Sequence, residues 1–118
     1  MSDRRTRRNE LDLFAQDEAR FSSAERGMTC SESADVVVGA FGGEVRGYWN
    51  ADNPTATVAR ECCDGHDFAI TPDRFLVDPW LFHYWAETPV LDLEDGADKA
   101  TAEMRYGPEE KWECPPAN

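Results

Sequence analysis

Residues 65–79, Gly-His-Asp-Phe-Ala-Ile-Thr-Pro-Asp-Arg-Phe-Leu-Val-Asp-Pro, leave the backbone few choices. His66 to Ile70 alternates in polarity with the two-residue period of a half-buried strand. Thr71-Pro72-Asp73 supplies turn chemistry: proline presets φ, and aspartate can bond its own backbone. Arg74 to Val77 is a second short apolar run, ended by Pro79, which cannot donate to a ladder. An antiparallel hairpin follows. His66 and Asp78, each about six residues from the turn centre, are expected to be cross-strand neighbours on one face, with Asp67 on the other.

Helices are expected upstream. Thr29 followed three residues later by Glu32 is a capping box, and Ala34, Val37, Val38 and Phe41 give the helical stripe behind it. This helix should run from Cys30 to Phe41 and stop at Gly42-Gly43. The β-branched run Val36-Val37-Val38 leans towards strand, but cap and spacing prevail. Leu11, Phe14, Ala15 and Phe21 predict an earlier helix starting at Glu10 and stopped by Gly27. Residues 1–9, with four arginines, read as a disordered basic tail. Downstream, Glu44 to Trp49 and Pro89 to Leu93 read as strands, Ala51 to Pro54 as a turn, and Gly96 to Tyr106 as a short helix. Leu81 to Trp85 is an aromatic cluster expected to be buried or to line a cleft. Thr55 to Cys62 fits no single element. The sum is an α+β fold, N-terminal helices packed on a small antiparallel sheet, with residues 10–118 forming a single domain.

The chain carries 24 Asp plus Glu against 12 Lys plus Arg, a net charge of −12 that repels phosphate backbones and argues against nucleic acid as a partner. Ten of the basic residues are Arg, which fits either a GC-rich genome or adaptation to high salt. No stretch nears the roughly 20 apolar residues of a membrane span, and no leader is evident, so no membrane partner and a cytoplasmic origin are expected, with delivery into another cell as an effector left open. The four cysteines are Cys30, Cys62, Cys63 and Cys114; adjacent Cys62 and Cys63 do not readily bridge each other, so reduced thiols are expected. The sequence leaves the oligomeric state open.

Cys30 is the first residue after a capping threonine, where unpaired amides and the helix dipole favour thiolate and can bind an oxyanion. A thiolate needs a proton acceptor that later protonates a leaving amine, and imidazole suits both directions near neutrality. Only His66 and His83 are available. His83 sits among aromatics and reads as structural, whereas His66 has Asp78 beside it to hold its tautomer. Cys at a helix start, Gly-His-Asp-Phe-Ala on one strand and Val-Asp-Pro-Trp on the next resemble the papain-like and transglutaminase-like superfamily in its Cys-His-Asp order. That resemblance spans about Thr29 to Trp80 and implies Cys30 as nucleophile, His66 as base and Asp78 as orienter. It further implies thioester chemistry on the amide of a protein or peptide substrate, with no cofactor and no metal.

Trp49 and Trp80 are the candidates for substrate contact, and Gln16 or Ser23 for a side-chain oxyanion donor. Two readings compete with catalysis. One is a non-catalytic protein-binding module on the same scaffold. The other is a zinc-stabilised interaction domain using Cys62, Cys63 and His66 with Cys30 or Cys114, although adjacent cysteines lack the usual ligand gap.

Overall fold

A computed structural model describes residues 3–21, 29–58 and 63–114. In chain order the elements are α1 (Arg4–Ala15), α2 (Glu18–Phe21), α3 (Cys30–Phe41), β1 (Glu44–Trp49), β2 (Gly65–Ile70), β3 (Phe75–Val77), α4 (Pro79–Trp85), β4 (Val90–Asp92) and α5 (Gly96–Tyr106), then a 3-10 turn at Glu109–Lys111. The strands form one antiparallel sheet in the order β1-β2-β3-β4, so the chain is α+β.

Strand alternation builds two cores, one on each face. Phe68, Ile70, Leu76 and Leu91 meet Ala102 and Tyr106 of α5 and the indole of Trp112. Ala69, Phe75, Val77 and Val90 meet Leu11 and Ala15 of α1, Phe21 of α2, and Ala34 and Val37 of α3. The three strands after β1 are thus covered on both sides, which explains why β3 and β4 are buried throughout.

α3 has the expected bounds. The Thr29 hydroxyl accepts from the Glu32 amide, and the Glu32 carboxylate accepts from the Thr29 amide, both at 3.1 Å. The N-terminal segment differs from expectation. It is helical from Arg4, capped by Asp3, and docks on the acidic loops of the sheet. Arg4 bonds both carboxylate oxygens of Asp92 at 2.9 and 2.7 Å, Arg7 reaches Asp73 at 2.9 Å, and Arg8 pairs with Asp98. Basic composition looks like a solvated tail when read alone; complementary carboxylates distant in sequence turn it into a packed helix.

The hairpin loop is Thr71–Arg74. The Thr71 amide donates to Phe75 O at 2.9 Å, the Arg74 amide to Thr71 O at 3.0 Å, and the Phe75 amide to the Thr71 hydroxyl at 3.0 Å. Arg74 adopts φ +70° to close it, a left-handed conformation uncommon for a side-chain-bearing residue. Two bonds from its guanidinium to Glu109, at 3.0 and 2.8 Å, hold that residue in place.

The aromatic run after Pro79 is a helix, α4. Asp78 caps it by accepting from the Leu81 amide at 3.2 Å, and Pro79 fills the first position, where no amide is needed. Pro79, expected as a strand terminator, is also a helix initiator.

Candidate active site

Three elements meet at the open end of β2. In the β2–β3 ladder Ala69 faces Val77 and Ile70 faces Leu76, and β3 ends at Val77. Gly47, opposite Asp67, exchanges both its backbone bonds with Glu113 on its far side. Asp67 therefore points its own amide away from β1, towards the edge that β3 has already left. The Cys30 sulfur at the tip of α3 takes the vacant acceptor position: the Asp67 N–H donates to it at 3.4 Å. Cys30 is half-buried and a free thiol.

The imidazole of His66 lies on the α5 face of β2 and is 2% exposed. Its Nε2 is 2.6 Å from Asp78 Oδ2. The expected face is correct, but the pair is diagonal rather than directly opposite, because the register aligns Asp78 with Phe68, two residues along. The four-residue loop centres the hairpin on Asp73 and sets this offset. Asp78 is fully buried, and it also accepts from the Tyr106 hydroxyl at 2.8 Å. Both Asp78 oxygens thus have partners, and α4 supplies one of them.

Tyr106 was not singled out in the sequence. Its ring is near-parallel to His66, 13° between planes with centroids 6.0 Å apart, while Trp80 covers the imidazole at 5.0 Å. The Tyr106 carbonyl receives the Asn53 side-chain amide at 2.7 Å and the Trp112 indole N–H at 2.8 Å, which pins the end of α5. The signal for Tyr106 was weak: a tyrosine on the last turn of an amphipathic helix, which reads as core.

Burial alone would pull the imidazole pKa down. The charge of Asp78, its hydrogen bond and the Cys30 sulfur outweigh this and push the ring up to about 10. His66 therefore holds its proton at neutral pH. For Tyr106, burial and the Asp78 charge push the phenol well above its ordinary value, so it stays a neutral donor. Nδ1 of His66 is buried and makes no hydrogen bond of ordinary geometry.

The site opens on a cleft of about 360 Å³ lined among others by Cys30, His66, Trp49, Asp64, Asp67 and Glu113. The Asp67 carboxylate lies across Gly47, where any Cβ would collide with it, and the Ser31 hydroxyl donates to it. Gly47 is thus the floor that lets Asp67 lie flat.

The other expected residues divide. Trp49 is 53% exposed and lines the cleft, whereas Trp80 packs on His66 and the core. His83 bonds the Ala15 carbonyl at 2.9 Å and packs on Phe21 and Phe82, as a structural histidine. Gln16 is the exposed C-cap of α1; Ser23 and Cys62 lie outside the described residues. Cys63 is disulfide-bonded, which corrects the expectation of reduced thiols and leaves it to Cys30 and Cys114. No group of three or more His, Cys, Asp or Glu side chains has metal-binding geometry among the described residues, and none of their helices is long and apolar enough to cross a membrane.

No protein-family model, no curated protein and no solved structure matches the chain.

Proposed function

We propose that the chain is a cysteine-dependent hydrolase or acyltransferase acting on an amide of a protein or peptide, with Cys30 as nucleophile, His66 as proton carrier and Asp78 as orienter, in the manner of papain-like and transglutaminase-like enzymes. The observation that carries it is the buried His66–Asp78 contact of 2.6 Å, with the other ring nitrogen left without a hydrogen bond of ordinary geometry and a free thiol, Cys30, among the groups that act on the ring. A structural histidine normally has both ring nitrogens satisfied when buried, as unpaired buried polar atoms are costly.

The chemistry runs as follows. An imidazolium beside the sulfur favours the thiolate, which attacks the amide carbon and forms an S–C bond. The capping box satisfies the amides of Thr29 and Glu32; those of Cys30 and Ser31, which have no intrahelical acceptor, are available to the oxyanion. Collapse breaks the C–N bond as His66 gives its proton to the leaving amine. The neutral ring then takes a proton from water or from a second amine, which attacks the thioester and returns the sulfur to its thiolate. Asp78 keeps its charge throughout and fixes the ring through Nε2. Tyr106 is a positioning residue that acts through Asp78.

Competition between iodoacetamide labelling of Cys30 and of Cys114 at pH 7 tests this reading. Cys30 should react at least tenfold faster although it is the less exposed, and His66→Ala should abolish the difference. Equal rates in the parent protein would leave only a binding module.

A further inference from the structure

The reading above leaves the substrate open, and the charge around the cleft narrows it. Among its described lining residues are the carboxylates of Asp64, Asp67 and Glu113, and no Lys or Arg. The nearest arginine along β1, Arg46, is turned onto Glu44 at 2.7 Å and the Trp112 carbonyl at 3.2 Å. Asp64 and Glu113 are exposed, and neither forms an ion pair among the described residues. Trp49 presents a half-exposed indole beside them. This acidic wall adjoins the buried His66, which lines the same cleft and whose Nδ1 lacks a hydrogen bond of ordinary geometry.

Carboxylates in the cleft wall oppose negative charge on the sulfur, and a cation arriving with the substrate would add to the His66 imidazolium in offsetting them. A cation over the Trp49 ring would be held by its face as well as by the three acids. From these features together we infer that the cleft selects a peptide bearing a Lys or Arg side chain next to the reacting amide. The inference rests on Cys30 as the reacting group and adds the charge of what reaches it. The positive side chain lies between Trp49 and the acidic wall, and the amide carbon sits over the Cys30 sulfur. Acidic peptides are repelled from the same place.

Charged thiol reagents read this without a known substrate. Methanethiosulfonates form a mixed disulfide with a thiolate and expel methanesulfinate, so one reaction can be run with a trimethylammonium-ethyl reagent and with a sulfonato-ethyl reagent. The readout is their rate ratio at Cys30, followed by mass spectrometry and divided by the ratio for 2-mercaptoethanol. A carboxylate about 6 Å away in a water-like dielectric favours a cation by about threefold and disfavours an anion equally, or about tenfold on the ratio before screening. With three carboxylates the normalised ratio should exceed about thirtyfold at low salt and fall steeply towards 0.5 M salt.

Asp64→Asn and Glu113→Gln, both at exposed positions, should each lower the ratio severalfold, whereas Glu18→Gln outside the cleft leaves it unchanged. A blocked peptide amide containing Gln-Arg should also protect Cys30 from iodoacetamide at concentrations where its Gln-Glu counterpart does not. A normalised ratio near one, or one moved equally by Glu18→Gln, overturns the inference, as does equal protection by both peptides. Failure of the underlying function looks different: the neutral reagent then shows no enhancement that His66→Ala removes, whatever the charge ratio.

Discussion

Replacing Asp78 by Asn keeps the shape of the buried site and removes its charge together with one acceptor oxygen. Asn still caps α4 through the Leu81 amide, since Asn and Asp are equivalent caps. What disappears is the charge that holds a proton on His66. A ring whose pKa is raised from 6.5 to about 10 binds its proton more tightly folded than unfolded. That stabilisation is complete below pH 6.5 and is lost as pH rises through about 10. At pH 7 about three pH units of it remain, which at about 1.4 kcal/mol each gives about 4 kcal/mol. Breaking a buried ion pair independently suggests 3 to 5 kcal/mol, about the same size.

Urea unfolding monitored by tryptophan fluorescence measures the difference. With a denaturant slope of about 1.5 kcal/mol per molar, the Asp78→Asn midpoint should lie about 2 to 3 M lower at pH 7. The gap should narrow as both proteins are taken from pH 7 to 10.5, because the parent loses the proton that the variant never held. In the ring NMR spectrum, His66 should titrate near 10 in the parent and below 6.5 in the variant, where burial acts unopposed. A gap under about 1 kcal/mol at pH 7, or one that stays constant to pH 10.5, would refute the claim that a buried imidazolium–carboxylate pair organises this site.

Two further outcomes follow from the same geometry. Tyr106→Phe removes one donor to the Asp78 carboxylate without opening a cavity; it should cost about 1.5 to 3 kcal/mol in urea unfolding and slow Cys30 labelling, with the pH dependence of labelling displaced relative to the parent. Arg4→Ala unties α1 from Asp92 at a part-buried pair, so the cost should be about 1 to 2 kcal/mol, between a surface pair and a buried one, shrinking in high salt, with hydrogen exchange of the α1 amides accelerated. An α1 that exchanges as slowly in that variant as in the parent would show that Leu11 and Ala15, not the arginine, hold the helix down.

Some of the fold was open to reading because its causes are local. The Thr29–Glu32 box and the glycines after Phe41 bounded α3 to the residue, and the period of Gly96 to Tyr106 bounded α5, since caps and periodicity act over a few positions. The hairpin was legible for the same reason, although its offset was not: it follows from the left-handed φ with which Arg74 closes the loop, and the side chain of that residue is held by Glu109, thirty-five residues away. The start of α1 was not legible, because the carboxylates that order Arg4, Arg7 and Arg8 are 66 to 90 residues away in sequence and reach them only in the folded chain.

The local sequence of this protein determined a cysteine on a helix tip and a histidine on a strand with an aspartate just beyond the next, because those follow from capping, alternation and a proline. Tertiary structure decided the rest: which side of β2 the thiol occupies, that Tyr106 shares the aspartate, and that three carboxylates line the cleft beside the thiol. Each of these depends on where β3 stops and how α5 and the Glu113 segment fold back. Such contacts between distant residues are selected by burial and charge only once the whole chain has closed.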